Sequence, residues 1–140
     1  MRMRKILVIE DQEAPWENYL LALTQICHIP EADITRARWY TEAEEKIASG
    51  TYDIVFLDHR MPYDDPGCTD ASDFGKFVES LQGIGYNLTA LLQSKQPQAV
   101  VVGTSSLNPK DFGPYKFPTL KLDKTNIFDE LPAIIKNLTA

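Results

Sequence analysis

The sequence predicts an α/β fold whose parallel sheet is covered by helices on both faces. Two observations carry this expectation. Three runs, Ile6 to Ile9, Ile54 to Leu57 and Ala99 to Val102, are apolar at consecutive positions and rich in β-branched residues. Unbroken apolar runs suit strands buried on both sides, where alternating ones would suit a sheet with one wet face. Between these runs lie segments whose apolar residues recur at helical spacing. Strand and helix in regular alternation give parallel strands joined by right-handed crossovers. Two weaker runs, Ile34 to Trp39 and Thr119 to Leu122, bring the candidate strands to five.

The helices follow in order. Trp16, Tyr19, Leu20, Leu23 and Ile26 share a helical face, and Pro15 suits a first turn. Thr41 and Glu44 form a capping-box pattern, and Gly50 can close the helix that follows. Phe74, Phe77, Val78 and Leu81 repeat the helical spacing; Gly83 and Gly85 interrupt it, and Leu88, Leu91 and Leu92 resume it. This predicts one long or broken helix. Leu131, Ile134, Ile135 and Leu138 form a last apolar face, which tolerates Pro132 only if that helix begins shortly before it.

At 140 residues and 44% hydrophobic, residues 1–140 make one domain with one interior. Asp and Glu outnumber Lys and Arg, 20 to 14, giving a net charge of -6. That balance excludes nucleic acid or an anionic membrane as the direct partner, since both require clustered positive charge. Cys27 and Cys68 make neither a disulfide framework nor a metal-ligand pattern, which fits a reduced, cytoplasmic compartment. The apolar run after Lys5 ends at Glu10, too early for a signal peptide, and no segment reaches membrane-spanning length.

The chemistry lies just after each apolar run. Glu10 and Asp11 follow Ile9; Asp58 follows Leu57; Thr104, Ser105 and Ser106 follow Val102 and Gly103; Asp123 and Lys124 follow Leu122. In open parallel sheets the ligand site lies outside the carboxyl ends of the strands, so these groups converge on one edge. Three carboxylates together repel one another and call for positive charge. A small all-oxygen cluster suits Mg²⁺, which keeps several waters and is shared with a phosphoryl group. A carboxylate such as Asp58 can itself attack phosphorus to give an aspartyl phosphate. Lys124 would add positive charge and Thr104 a hydrogen bond to the oxygens of the transferred group.

Lys5-Ile6-Leu7-Val8-Ile9-Glu10-Asp11 resembles the first strand and acidic pair of response-regulator receiver domains of two-component signalling. Tyr52 to Pro62, with Asp58-His59-Arg60-Met61-Pro62 at its end, is similar to the family's phosphoacceptor strand and Asp-x-x-Met-Pro turn. Val100 to Ser105 is similar to the strand that ends in the switch threonine, and Lys124 to the lysine ahead of the last helix. The resemblance covers nearly the whole chain. It implies a flavodoxin-like five-stranded parallel sheet of order 2-1-3-4-5, the order of the chemotaxis receiver. It further implies that Asp58 accepts phosphate from a phosphohistidine on a histidine kinase or histidine phosphotransfer protein. Glu10, Asp11, Asp58 and the main-chain carbonyl of Arg60 would hold Mg²⁺; Thr104 would turn towards the acyl phosphate and Lys124 would contact it. Such a domain is a signalling receiver rather than an enzyme: it catalyses its own modification, dephosphorylates slowly and alters the binding of a downstream protein.

Four departures from the family pattern qualify this. Thr125 stands where proline usually follows the lysine, often in a cis bond that would cost about 3 kcal/mol here. Lys121 is the rival for the active-site lysine, and it occupies the position of the family's aromatic switch residue. Pro109, Gly113, Pro114 and Pro118 predict a degenerate fourth helix between Ser106 and Pro118, rebuilt as a loop carrying Phe112, Tyr115 and Phe117. Tyr63 to Ser72 and Gly83-Ile84-Gly85 look longer than the family requires.

His59, Trp16 and Trp39 read as packing or surface residues, and Asp64 and Asp65 as a solvated loop. Arg60 and Ser106, two positions past the acceptor and the threonine, occupy places that tune phosphate lifetime in the family. The alternative function is a pseudo-receiver, a constitutive protein-interaction module. An aspartate-based phosphohydrolase is disfavoured, because such enzymes carry Asp-x-Asp after the first strand and this chain has Glu10-Asp11-Gln12.

Overall fold

The computed structural model describes residues 5–104, 118 and 120–139. Seven strands occur in chain order among them: β1 (Ile6–Ile9), β2 (Ile34–Ala37), β3 (Ile54–Leu57), β4 (Arg60–Pro62), β5 (Leu81–Gly83), β6 (Val100–Gly103) and β7 (Leu120–Lys121). The helices are α1 (Glu13–Leu21), α2 (Tyr40–Ser49), α3 (Phe74–Glu79), α4 (Leu88–Lys95) and α5 (Ile127–Thr139). Five strands form one parallel sheet in the order β2-β1-β3-β6-β7. Counting only those five, this is the expected 2-1-3-4-5.

The unbroken apolar runs do what their pattern requires. Along β1, Ile6 and Val8 enter one core with Tyr19, Leu23, Phe56 and Leu131, while Leu7 and Ile9 enter a second with Ile47, Val55, Leu88 and Leu92. Alternate residues of one strand point to opposite faces, so a strand between two helical layers must be apolar throughout. Each fully buried Leu or Ile contributes roughly 1.5–3 kcal/mol. The first core lies under α1 and α5, the second under α2 and α4. Gln96 knots the second layer: its side-chain amide donates to Ile47 O, and its Oε1 accepts the N–H of Tyr52 at 3.1 Å.

Register positions the site. Ile9 lies opposite Leu57, and Leu57 opposite Gly103, in adjacent parallel strands. The next residue of each strand therefore emerges at the same level: Glu10, Asp58 and Thr104.

Several local expectations are corrected. The run from Phe74 to Leu92 is not one helix. It is α3, then β5 paired antiparallel with β4, then a 3₁₀ turn at Gly85–Asn87, then α4. Residues at helical spacing also fit a short strand when glycines break the helix at its far end, as Gly83 and Gly85 do, and the partner strand just after Asp58 decides the outcome. The capping box does not form: α2 starts at Tyr40, and the Thr41 hydroxyl donates to Asp64 Oδ1 at 2.8 Å instead. Gly50 ends α2 in extended geometry, φ -107. After Leu21 the first helix widens into a π-helical segment, Ala22–Ile26. That wider turn carries Ala22 and Leu23 into the core and leaves Ile26 exposed. The second strand stops at Ala37, and the last covers Leu120–Lys121 only. Pro132 sits within α5, its sixth residue. Ser105, Ser106 and the predicted loop with Phe112, Tyr115 and Phe117 lie outside the described residues, as does the question of a fourth helix there.

Candidate functional site

Glu10, Asp11 and Asp58 meet at the carboxyl edge of the sheet, each offering one carboxylate oxygen within 4.8 Å of the others. All three are buried. Asp58 Oδ1 accepts the N–H of His59 at 2.8 Å, which leaves Oδ2 for Lys124. The Lys124 ammonium donates to Asp58 Oδ2 at 3.1 Å and to Glu10 Oε1 at 2.9 Å. Of the two candidate lysines, Lys124 is thus the one at the cluster; the Lys121 side chain belongs to an exposed residue of β7. A 3₁₀ turn aims Lys124 inward: Asp123 Oδ1 accepts both the N–H and the hydroxyl of Thr125, at 3.0 and 2.7 Å. The Asp123 side chain thereby caps the turn.

One ammonium does not neutralise three carboxylates. Burial, and then the charges of Glu10 and Asp58, push the Asp11 carboxyl up to about 9. Burial also raises Glu10, against the opposing pull of Lys124. On Lys124, burial works downwards but the carboxylates of Asp58 and Glu10 prevail, so its ammonium is held above the ordinary value. Among the described residues, neither carboxylate oxygen of Asp11 has a hydrogen-bond partner. A buried pair of acceptors without donors, in a cluster of oxygens only, is the donor set that Mg²⁺ fits. Arg60 opens β4 two residues past Asp58, with its side chain exposed.

Thr104 is buried at the same edge. Its N–H donates to Leu57 O at 3.0 Å, and its hydroxyl is buried without a hydrogen bond among the described residues. The Tyr19 phenol lies buried under the cluster, and burial and the Glu10 carboxylate push it well above its ordinary value.

Residues that sequence patterns did not assign to the site complete it. Arg36, on β2, donates from Nε to Glu10 O at 3.1 Å, pairs with Glu13 Oε1 at 3.1 Å and lies over the Trp16 ring at 5.2 Å. It braces the loop that carries Glu10 and Asp11. Nothing local in the sequence signals this, because the contact depends on the pairing of β1 with β2. Gly85 is read from sequence as a helix interruption. In the fold it presses against the turn after Asp58: a Cβ there would collide with Asp58 O. His59 is buried packing, its Nδ1 accepting the N–H of Tyr86 at 3.1 Å.

The long segment after Pro62 is tied down beside the cluster. Asp70 Oδ1 accepts the N–H of Glu13 at 3.1 Å, Tyr63 O accepts that of Thr41 at 3.0 Å, and the rings of Tyr40 and Tyr63 stack at 5.6 Å. Asp64 and Tyr63 are exposed, and Asp65 Oδ1 accepts the N–H of Gly67. The segment borders a cavity of about 350 Å³ lined by Asp11, Trp39, Pro62, Pro66 and Phe77, among others.

No family model matches the chain, and no curated protein matches it. Solved structures do. The response regulator TrrA of Thermotoga maritima, in complex with Mg(2+)-BeF, is 24% identical, with a TM-score of 0.65 over 97% of this chain and 99% of that one. The receiver domain of the Francisella response regulator 1452 is 22% identical, with a TM-score of 0.62 over 96% and 95%. A CheY-like receiver domain protein of Methanospirillum hungatei reaches a TM-score of 0.67 at 10% identity, over 99% and 98%. Sheet order, the placement of the carboxylates and these likenesses agree: the chain has the fold of a response-regulator receiver domain.

Proposed function

We propose that this chain is a phosphoryl-accepting receiver of two-component signalling and that residues 1–140 act as one such domain. The observation that carries the reading is the cluster itself: Asp58 is flanked by Lys124 at 3.1 Å and grouped with Glu10 and with Asp11, whose carboxylate has no hydrogen-bond partner among the described residues. An Asp58 oxygen attacks phosphorus, the P–N bond of a phosphohistidine breaks, and the imidazole of the donor protein leaves with the electron pair. Glu10, Asp11, Asp58 and the main-chain carbonyl of Arg60 would hold Mg²⁺, which would supply neutralising charge for the phosphoryl oxygens. Lys124 adds the protein's own positive charge, and Thr104 donates its hydroxyl to the acyl phosphate. The product adds about -1.5 to -2 charges at the sheet edge, enough to bias a two-state element and change the binding of a downstream protein.

A histidine kinase or phosphotransfer protein is the donor, and slow self-catalysed hydrolysis resets the domain. The setting is cytoplasmic; among the described residues no helix is long and apolar enough to cross a membrane. Two of the solved structures support the chemistry by analogy, one in complex with Mg(2+)-BeF and one described as BeF3-activated.

The test is incubation with acetyl phosphate or phosphoramidate, with and without Mg²⁺, read by intact mass beside Asp58→Asn. A Mg²⁺-dependent adduct absent from the variant supports the reading. No adduct, together with no Mg²⁺-dependent response of tryptophan fluorescence to beryllofluoride, would replace it with the pseudo-receiver, a constitutive interaction module.

A further inference from the structure

Tyr86 is buried, 2% exposed, and touches both halves of the site from below. On one side it is fixed to the acceptor turn. Its N–H donates to His59 Nδ1 at 3.1 Å, its ring meets the His59 ring at 4.7 Å, and the N–H groups of Ile84 and Gly85 just before it donate to His59 O at 3.0 and 2.7 Å. On the other side its hydroxyl fills the space over Gly103, where a Cβ would come within 2.7 Å of it. Gly103 is the last residue of β6 and immediately precedes Thr104. One rigid ring therefore spans from the residue after Asp58 to the residue before Thr104.

We propose that Tyr86 is a positioning residue that couples the acceptor turn to the end of β6, holding Thr104 in its resting place until Asp58 is modified. This rests on the receiver reading above. The coupling requires that the Thr104 hydroxyl reach a phosphoryl group on Asp58 through a shift of the end of β6 past the Tyr86 hydroxyl, which lies 2.7 Å from where a Cβ on Gly103 would stand. Removing the hydroxyl alone lowers the resistance to that shift and favours the modified state.

The experiment titrates beryllofluoride at saturating Mg²⁺, read by tryptophan fluorescence, into the full chain and into Tyr86→Phe, Gly103→Ala and the double variant. Melting temperature and Mg²⁺ affinity of each are measured alongside. Tyr86→Phe is expected to bind beryllofluoride about fivefold tighter or more, with Mg²⁺ affinity and melting temperature unchanged. Gly103→Ala should weaken binding, and Tyr86→Phe should recover part of that loss, because the added methyl then meets no hydroxyl. A Tyr86→Phe affinity within about twofold of wild type, or weaker, overturns the coupling. A wild type that gives no Mg²⁺-dependent response overturns the receiver reading and the coupling with it, so the two failures are told apart.

Discussion

Nζ of Lys124 lies 3.1 Å from Oδ2 of Asp58, on a turn capped by the Asp123 side chain. The same ammonium is the counter-charge of Glu10, whose side chain is wholly buried. Lys124→Ala therefore leaves two buried carboxylates without it. The expected result is a loss of about 2 kcal/mol of stability in the absence of Mg²⁺, and phosphorylation by a small donor slowed about 10²-fold. Lys121→Ala should stay within about 0.5 kcal/mol of wild type and phosphorylate normally. Urea unfolding and timed intact mass decide this; equal effects from both lysines would remove Lys124 from the site.

Asp11 makes stability depend on pH. Its carboxyl is pushed up to about 9 from an ordinary value of 3.8 by burial and by its carboxylate neighbours. At intermediate pH the folded chain then holds a proton that the unfolded chain lacks. The folded state gains as pH falls from about 9 towards 3.8 and loses that gain as pH rises through the window. Melts in a chelator should thus show a higher melting temperature at pH 5.5 than at pH 8. Asp11→Asn should flatten the slope and add about 1–2 kcal/mol at pH 8. Saturating Mg²⁺ should flatten it in the wild type as well, because the ion takes the place of the proton. A wild-type slope that Asp11→Asn leaves intact refutes the assignment.

Arg36 acts on the cluster without belonging to it. Its guanidinium holds the Glu10 carbonyl and the Glu13 carboxylate, and so fixes the loop between β1 and α1. Outer contacts of this kind usually matter for metal affinity by about 10–100-fold. Arg36→Ala should weaken Mg²⁺ binding about tenfold in isothermal titration calorimetry, with a smaller change in melting temperature. An unchanged Mg²⁺ affinity would reduce Arg36 to a surface brace.

The sheet and the acidic cluster were legible because both are written in short-range pattern. Four consecutive apolar residues followed by a carboxylate occur at Ile9-Glu10 and at Leu57-Asp58, and parallel register brings such strand ends to one level. Lys124 was legible only as one of two lysines, because the turn that aims it depends on Asp123 and Thr125 rather than on a proline. The β4–β5 hairpin was not legible. Leu81 continues the spacing of Phe74 and Phe77, and only the contact with Arg60–Pro62, far away in sequence, makes a strand of it. Arg36 and Tyr86 were missed for the same reason: each acts through partners distant in sequence, Glu10 for Arg36 and His59 for Tyr86.

Gly85 offers the sharpest steric test of how the turn after Asp58 is built. A Cβ at this position would collide with Asp58 O and lie 2.6 Å from Met61 Cε. Met61 is a side chain and can yield; the Asp58 carbonyl is backbone and cannot move without moving the acceptor. Gly75, in the exposed helix α3, is the control, since its nearest neighbour would be Asp73 Oδ1 at 3.9 Å. Gly85→Ala should cost about 3 kcal/mol or more, as forced overpacking against backbone does. Gly75→Ala should instead stabilise the chain by about 0.5–1 kcal/mol, because alanine restricts the unfolded chain and favours the helix. Chemical denaturation of both variants measures the contrast. If Gly85→Ala is tolerated as well as Gly75→Ala, the turn that follows β5 does not pack on Asp58, and the support for the acceptor must be sought elsewhere.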